Sequence, residues 1–208
     1  ITNTDMTPIL FKGGVIKSIN QWYNKMRSRY YAALRNGLKN HEGSFHSKRL
    51  MGLDKQRHRK VKDFFHKVSY NIVKMAKENE IDTIIIGKND HWKQEINLGK
   101  KNNQNFVQIP FWQLGSKLKA LCLRYGIEYF EQEESYTSKA SFYDQDEIPV
   151  YNADNPSKQK FSGRRIKRGL YRTENKHLVS SDINGSANIL VKSKHRLDFQ
   201  RVSSGFLA

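Results

Sequence analysis

Apolar residues recur at helical spacing in three stretches of the chain. Ile16, Ile19, Tyr23, Met26, Tyr30 and Ala33 fall three or four residues apart, which predicts a helix from the Gly13-Gly14 break to about Asn36. Val61, Phe64, Phe65, Val68, Ile72, Met75 and Ala76 form the apolar face of a longer helix, roughly Asp54 to Glu80. A third opens at Ile109-Pro110, turns Phe111, Leu114, Leu118, Leu121, Cys122 and Tyr125 inward, and ends at Gly126. Between the second and third helices, Asp82-Thr83-Ile84-Ile85-Ile86-Gly87 is a continuous β-branched run, the pattern of a strand buried on both faces. Ile127-Glu128-Tyr129-Phe130 alternates, as a less buried strand does. At the start, Ile1 to Asp5 and Pro8-Ile9-Leu10-Phe11 read as a β-hairpin that begins abruptly, as though inside a larger protein. The last periodic element is a helix from about residue 183, whose Gly185, Ser186 and Ala187 would let it lie close against a sheet; residues after Lys192 read as a tail.

Charge changes this picture from a fold to a partner. The 208 residues suffice for one main domain with a small insert, and they carry a formal net charge of +17 with a pI near 9.9. Such an excess of Lys and Arg points to a polyanion, either nucleic acid or an anionic membrane surface. The membrane is disfavoured, because the chain has no apolar run of spanning length, no signal peptide and no lipidation motif. The single cysteine, Cys122, is read as a core residue, and one cysteine excludes both a disulfide scaffold and a four-cysteine zinc site.

The basic residues are clustered. Ser47 to Lys62 holds Lys48, Arg49, Lys55, Arg57, His58, Arg59, Lys60 and Lys62 against Asp54 alone, a density that favours phosphate contact over a merely solvated face. His66, near the apolar stripe, is read as packed or hydrogen-bonded rather than metal-binding. Residues 88–104 form a polar loop with Lys100, Lys101 and Trp92 at the end of the buried strand, where open α/β sheets place ligands. Residues 141–160 read as an exposed loop. A basic hairpin follows, Phe161 to Arg172, in which Arg164, Arg165, Lys167, Arg168 and Arg172 would hold phosphates while interleaved aromatics stack on bases.

Two acidic features stand out against this background. Glu128, Glu131, Glu133 and Glu134 lie within seven residues and repel one another unless cations offset them. Asp182, in or just before the first turn of the last helix, is either an ordinary helix cap or a carboxylate facing a metal ion.

Four segments carry a resemblance: Lys17-Ser18-Ile19-Asn20-Gln21-Trp22-Tyr23-Asn24-Lys25; Asn102 to Val107 with Ile109-Pro110-Phe111; Glu133 to Ser141; and Ser181-Asp182-Ile183-Asn184-Gly185-Ser186-Ala187-Asn188-Ile189-Leu190. Together they resemble the OrfB/TnpB family of transposon-encoded proteins, relatives of the type V CRISPR nucleases. The resemblance implies a ribonuclease-H-like (RuvC-like) α/β fold from its second strand onward. The nuclease core would span residues 1–140, a basic insert 141–180, the final helix 181–195 and a tail 196–208. It also implies an RNA-guided DNA endonuclease with DNA and guide RNA as partners, a prokaryotic cytoplasmic setting at the nucleoid, and two Mg²⁺ or Mn²⁺ ions held by carboxylates. Asp182 matches the third-motif aspartate.

Three departures qualify this. The first-motif aspartate belongs on the strand just before residue 1, so the chain by itself is expected to bind nucleic acid and cut poorly. Gly87 stands where most members carry the second-motif glutamate, and Glu134 or Glu133, on the adjoining strand, is expected to replace it. The four zinc-binding cysteines of many relatives are missing between Ser141 and Asp182, so no zinc is expected there. A nuclease-inactive, nucleic-acid-binding regulator and a strand-joining transposase remain as rival readings.

Overall fold

The computed structural model describes residues 1–2, 8–88, 109–152, 154 and 158–194. In chain order the elements are helices α1 (Gly14–Leu34) and α2 (Lys48–Glu78), strand β1 (Thr83–Lys88), helix α3 (Phe111–Tyr125), strands β2 (Glu128–Glu133), β3 (Arg164–Lys167), β4 (Leu170–Arg172) and β5 (Leu178–Ser180), and helix α4 (Ser181–Lys192). The architecture is mixed α/β and divides into two compact units: α1, α2 and α3 in one, the strands with α4 in the other. Lys100, Lys101 and the rest of the expected loop at 89–104 lie outside the described residues, as does the tail from residue 195.

In the helical unit, Ile16 of α1, Val61 and Phe65 of α2 and Ile109 form a buried cluster, flanked by Phe64 and Leu114. Removing a side chain such as Phe65 from water contributes about 1.5–3 kcal/mol. The helix α2 begins at Lys48, earlier than the expected Asp54, because extended Ser47 caps it: its Oγ accepts the Leu50 N–H at 3.2 Å. The whole basic stretch is therefore helical. His66 is exposed, a correction to the packed position expected for it; it projects away from the stripe that Val61, Phe65 and Val68 define. Cys122 is fully buried, as expected. The helix α3 ends on Gly126 at φ +69°, a left-handed conformation that its lack of Cβ permits.

In the sheet unit, Glu134 N–H donates to the Lys88 carbonyl at 3.2 Å, one end of the β1–β2 pairing. The bond from Glu128 N–H to Asp82 O at 2.7 Å marks the other end. Partners rise together along both strands, so the pair is parallel. β1 is half-buried rather than buried on both faces, since among the described residues it pairs with β2 alone. Strands β3, β4 and β5 form a separate antiparallel sheet. Ile1 and Ile9 exchange two backbone hydrogen bonds, 2.9 and 3.0 Å, the rung expected of the opening hairpin.

The expected exposed loop is irregular and largely exposed from Glu147 onward, but its start is anchored, with Ser141 fully buried and Phe142 nearly so. Two carboxylates hold it. Asp146 accepts the Ser141 N–H at 2.7 Å and both the N–H and hydroxyl of Ser162. Asp144 accepts the Ser141 hydroxyl at 2.5 Å and the Glu174 N–H at 3.0 Å. Tyr171, expected among base-stacking aromatics, is fully buried in β4 and donates its hydroxyl to the Lys139 carbonyl at 2.9 Å. A Cβ on Gly163 would run into its ring, so glycine is what lets the β3 entry cross Tyr171.

Candidate active site

The end of β2, the loop that follows it and the first turns of α4 enclose a cleft of about 370 Å³. Glu134, Ser135, Arg165, Ser181, Asp182 and Gly185 are among its lining residues. Asp182 is exposed and is not the cap of α4. That role belongs to Ser180, whose Oγ accepts the Ile183 N–H at 3.4 Å. The Asp182 carboxylate is thus left to the cleft, at the helix end where the backbone dipole favours negative charge.

Two asparagines of the same helix fix the facing loop. Asn184, fully buried, accepts from the Phe142 N–H at 3.0 Å and donates to the Ala140 carbonyl at 2.8 Å. Asn188 donates to the Thr137 and Ala140 carbonyls at 2.8 and 2.7 Å. Thr137 in turn bonds the Glu134 carbonyl through its N–H and, at 2.7 Å, its hydroxyl. The helix that carries Asp182 therefore also holds the loop that carries Glu134. Nothing in the motif pattern announced these asparagines as structural, although their four-residue spacing on a helix otherwise lined with small and apolar residues is a readable signal.

The two candidate glutamates separate. Glu133 gives one oxygen to Lys192 Nζ at 2.5 Å and the other to the Ser135 N–H at 2.5 Å, while Lys192 also donates to the Ser135 carbonyl at 3.0 Å. Burial alone would push its carboxyl up, but these hydrogen bonds outweigh burial and hold it below the usual range. Glu131 is likewise paired, with Lys88 at 2.9 Å. Glu134 forms no ion pair among the described residues, and burial, then the charge of Glu133, pushes its carboxyl up. Its Oε2 lies 2.6 Å from where a Cβ on Gly87 would stand, and Ile189 Cδ1 is equally close to that point. Glu134 occupies the space that a side chain at position 87 would fill.

Two further features bear on the cleft. The Ser181 hydroxyl is buried with no hydrogen-bond partner among the described residues. Thr2 Oγ1 lies 3.0 Å from Ser186 Oγ, which belongs to a lining residue of the cleft. The donor set suits a hard divalent cation, with one desolvated carboxylate, one exposed carboxylate and an unsatisfied hydroxyl. No cluster of three or more metal-binding His, Cys, Asp or Glu side chains occurs among the described residues.

The expected nucleic-acid residues divide between the units. Lys48, Arg49, Lys55, Arg57, Arg59 and Lys60 lie on α2, exposed except for half-buried Arg57. Arg164, Arg165 and Lys167 lie on β3, Arg168 in the turn after it and Arg172 on β4. Arg165 alone of these lines the carboxylate cleft. No helix among the described residues is long and apolar enough to cross a membrane.

No family model matches the chain, and no curated protein matches it. A solved structure of a Cas12f1–sgRNA–target DNA complex does match, at 18% identity and a TM-score of 0.50, over 83% of this chain. The match spans 41% of the Cas12f1 chain, so the likeness is one of fold over less than half of that larger protein.

Proposed function

We propose that this chain is the RuvC-like portion of a TnpB-like, RNA-guided DNA endonuclease, with Asp182 and Glu134 as two of its metal-binding carboxylates. The observation that carries the reading is the position of Glu134: beside Gly87, where a second-motif glutamate would stand, and in one cleft with Asp182. Glu134 thus replaces the missing side chain from the neighbouring strand. Glu133 takes a positioning role, tied to Lys192 and Ser135 on either side of it. The Cas12f1 complex contains guide RNA and target DNA, which supports nucleic acid as the partner here.

A divalent ion such as Mg²⁺ or Mn²⁺, held by Asp182 and Glu134, would supply an activated water and offset charge on the leaving oxygen. The chain's own residues prepare the site for it. Glu134 is kept desolvated and unpaired, Asp182 sits at a helix N-terminus, and Arg165 offers a cation to a phosphate entering the cleft. Fusing a first-motif strand with its aspartate ahead of Ile1 is the test. Metal-dependent DNA cleavage that drops about 100-fold or more in Asp182→Asn and in Glu134→Gln supports the endonuclease. Binding without cleavage, indifferent to both substitutions, would support the nuclease-inactive regulator.

A further inference from the structure

Strand β2 makes two lysine–glutamate pairs, and they are built differently. Lys88 Nζ meets Glu131 at 2.9 Å with 50% of the lysine and 41% of the glutamate side chain exposed, an ordinary surface contact. Lys192 Nζ meets Glu133 at 2.5 Å with only 7% of the lysine side chain exposed. Lys192 lies in the last turn of α4, where a lysine ordinarily reaches solvent or bonds the last helix carbonyls. Burying an ammonium is costly unless its donors are used. Here one donor goes to Glu133 and another to the Ser135 carbonyl at 3.0 Å.

These two acceptors flank Glu134 in the sequence. Glu133 closes the tie by taking the Ser135 N–H on its other oxygen, at 2.5 Å. Lys192, Glu133 and Ser135 thus form a closed set of hydrogen bonds across the residues on either side of Glu134. The Glu134 backbone is itself held, its N–H by the Lys88 carbonyl and its carbonyl by Thr137. With both neighbours tied, the backbone torsions that set the direction of the Glu134 side chain are restricted. That side chain lies against position 87 and lines the cleft with Asp182, which α4 supplies from its first turn.

We propose that Lys192 is a positioning residue: it holds Glu133 and Ser135 so that the Glu134 carboxylate stands in the cleft for a divalent cation shared with Asp182. This rests on the reading that Glu134 and Asp182 bind that cation. The sign of the effect separates positioning from charge. An ammonium near a cation site repels the cation, so charge alone predicts tighter metal binding when Lys192 is neutralised. Positioning predicts looser binding.

Mn²⁺ titration of the full 208-residue chain, followed by electron paramagnetic resonance, tests it. Lys192→Met keeps the apolar stem and removes the donors, and Lys88→Met makes the same charge change at the exposed pair. Lys192→Met should weaken Mn²⁺ binding about tenfold, the usual loss when a partner of a metal ligand is removed, while Lys88→Met should leave it unchanged or tighter. Adding Glu133→Gln to Lys192→Met should cost at most about a further twofold, because the two act as one unit. Lys192→Gln, too short to reach both acceptors, takes the place of Lys192→Met should circular dichroism show that variant unfolded. Equal or tighter Mn²⁺ binding in the folded Lys192 variant, with Glu134→Gln still weakening it, would overturn this inference alone. So would an equal loss in Lys88→Met. Wild-type binding that Glu134→Gln and Asp182→Asn leave unchanged would overturn both this inference and the reading beneath it.

Discussion

The two units handle charge in opposite ways. In the sheet unit, Glu134 is half-buried, with no ion pair among the described residues and its carboxyl pushed up by burial and then by the charge of Glu133, and it shares a cleft with an exposed Asp182. In the helical unit, arginines and lysines of α2 are laid over the rings of α1 at the surface. An unneutralised acid near another acid costs stability and has a use only if a cation comes to it. A cation seated on a ring costs little and remains ready for any polyanion. On the proposed function, the difference separates a site for one small ligand from a surface for a long one.

The largest effect should come from the carboxylates that hold the insert. Asp146→Ala leaves the Ser141 and Ser162 N–H groups without their acceptor, and Ser141 is buried. We expect a loss of about 1–3 kcal/mol in chemical denaturation, confined to the sheet unit if the two units melt separately.

Glycine substitutions sharpen the contrast. A methyl at Gly87 would meet Glu134 Oε2 and Ile189 Cδ1, the ends of side chains that must turn aside, so Gly87→Ala should destabilise the sheet unit by up to about 1 kcal/mol. A methyl at Gly52, in the interior of α2, meets nothing within 4 Å, and Gly52→Ala should stabilise the helical unit by up to about 1 kcal/mol. Thermal melts of the two variants should therefore move in opposite directions. Movement in the same direction would break the comparison.

The neighbouring glutamates should differ in their response to pH, with the smallest magnitude of the set. Glu133 is lowered in the fold, so its contribution is present above the ordinary carboxylate value and is lost as pH falls through its lowered one. Glu134 is raised, so its contribution is present below the ordinary value and is lost as pH rises through its raised one. At neutral pH, Glu133→Gln should lower the melting temperature and Glu134→Gln should raise it.

The sequence made the helices legible because their signal is local. The apolar spacing of α1, α2 and α3 lies within each element, and Gly126 ends α3 as its chemistry requires. The start of α2 was hidden because Ser47, its cap, stands at the edge of a basic run that reads as a surface segment. The anchored start of the insert was hidden for the opposite reason. It depends on Asp144 and Asp146 bonding residues up to 30 positions away, and no local pattern carries that pairing. Tyr171 looked like a stacking aromatic among arginines, yet it is held within the β-sheet by Lys139, 32 positions back. At the candidate site, Asp182 and the missing side chain at Gly87 were readable. The pairing that sets Glu133 apart from Glu134 was not, since it depends on Lys192, 59 residues further along.

The central claim is that Asp182 and Glu134 share a divalent cation, and Mn²⁺ binding to the purified chain tests it most directly. Titration followed by electron paramagnetic resonance should reveal a site whose affinity falls at least about tenfold in Asp182→Asn and in Glu134→Gln, and stays within about twofold in Glu131→Gln. Equal Mn²⁺ affinity in the wild type and both variants would contradict the account.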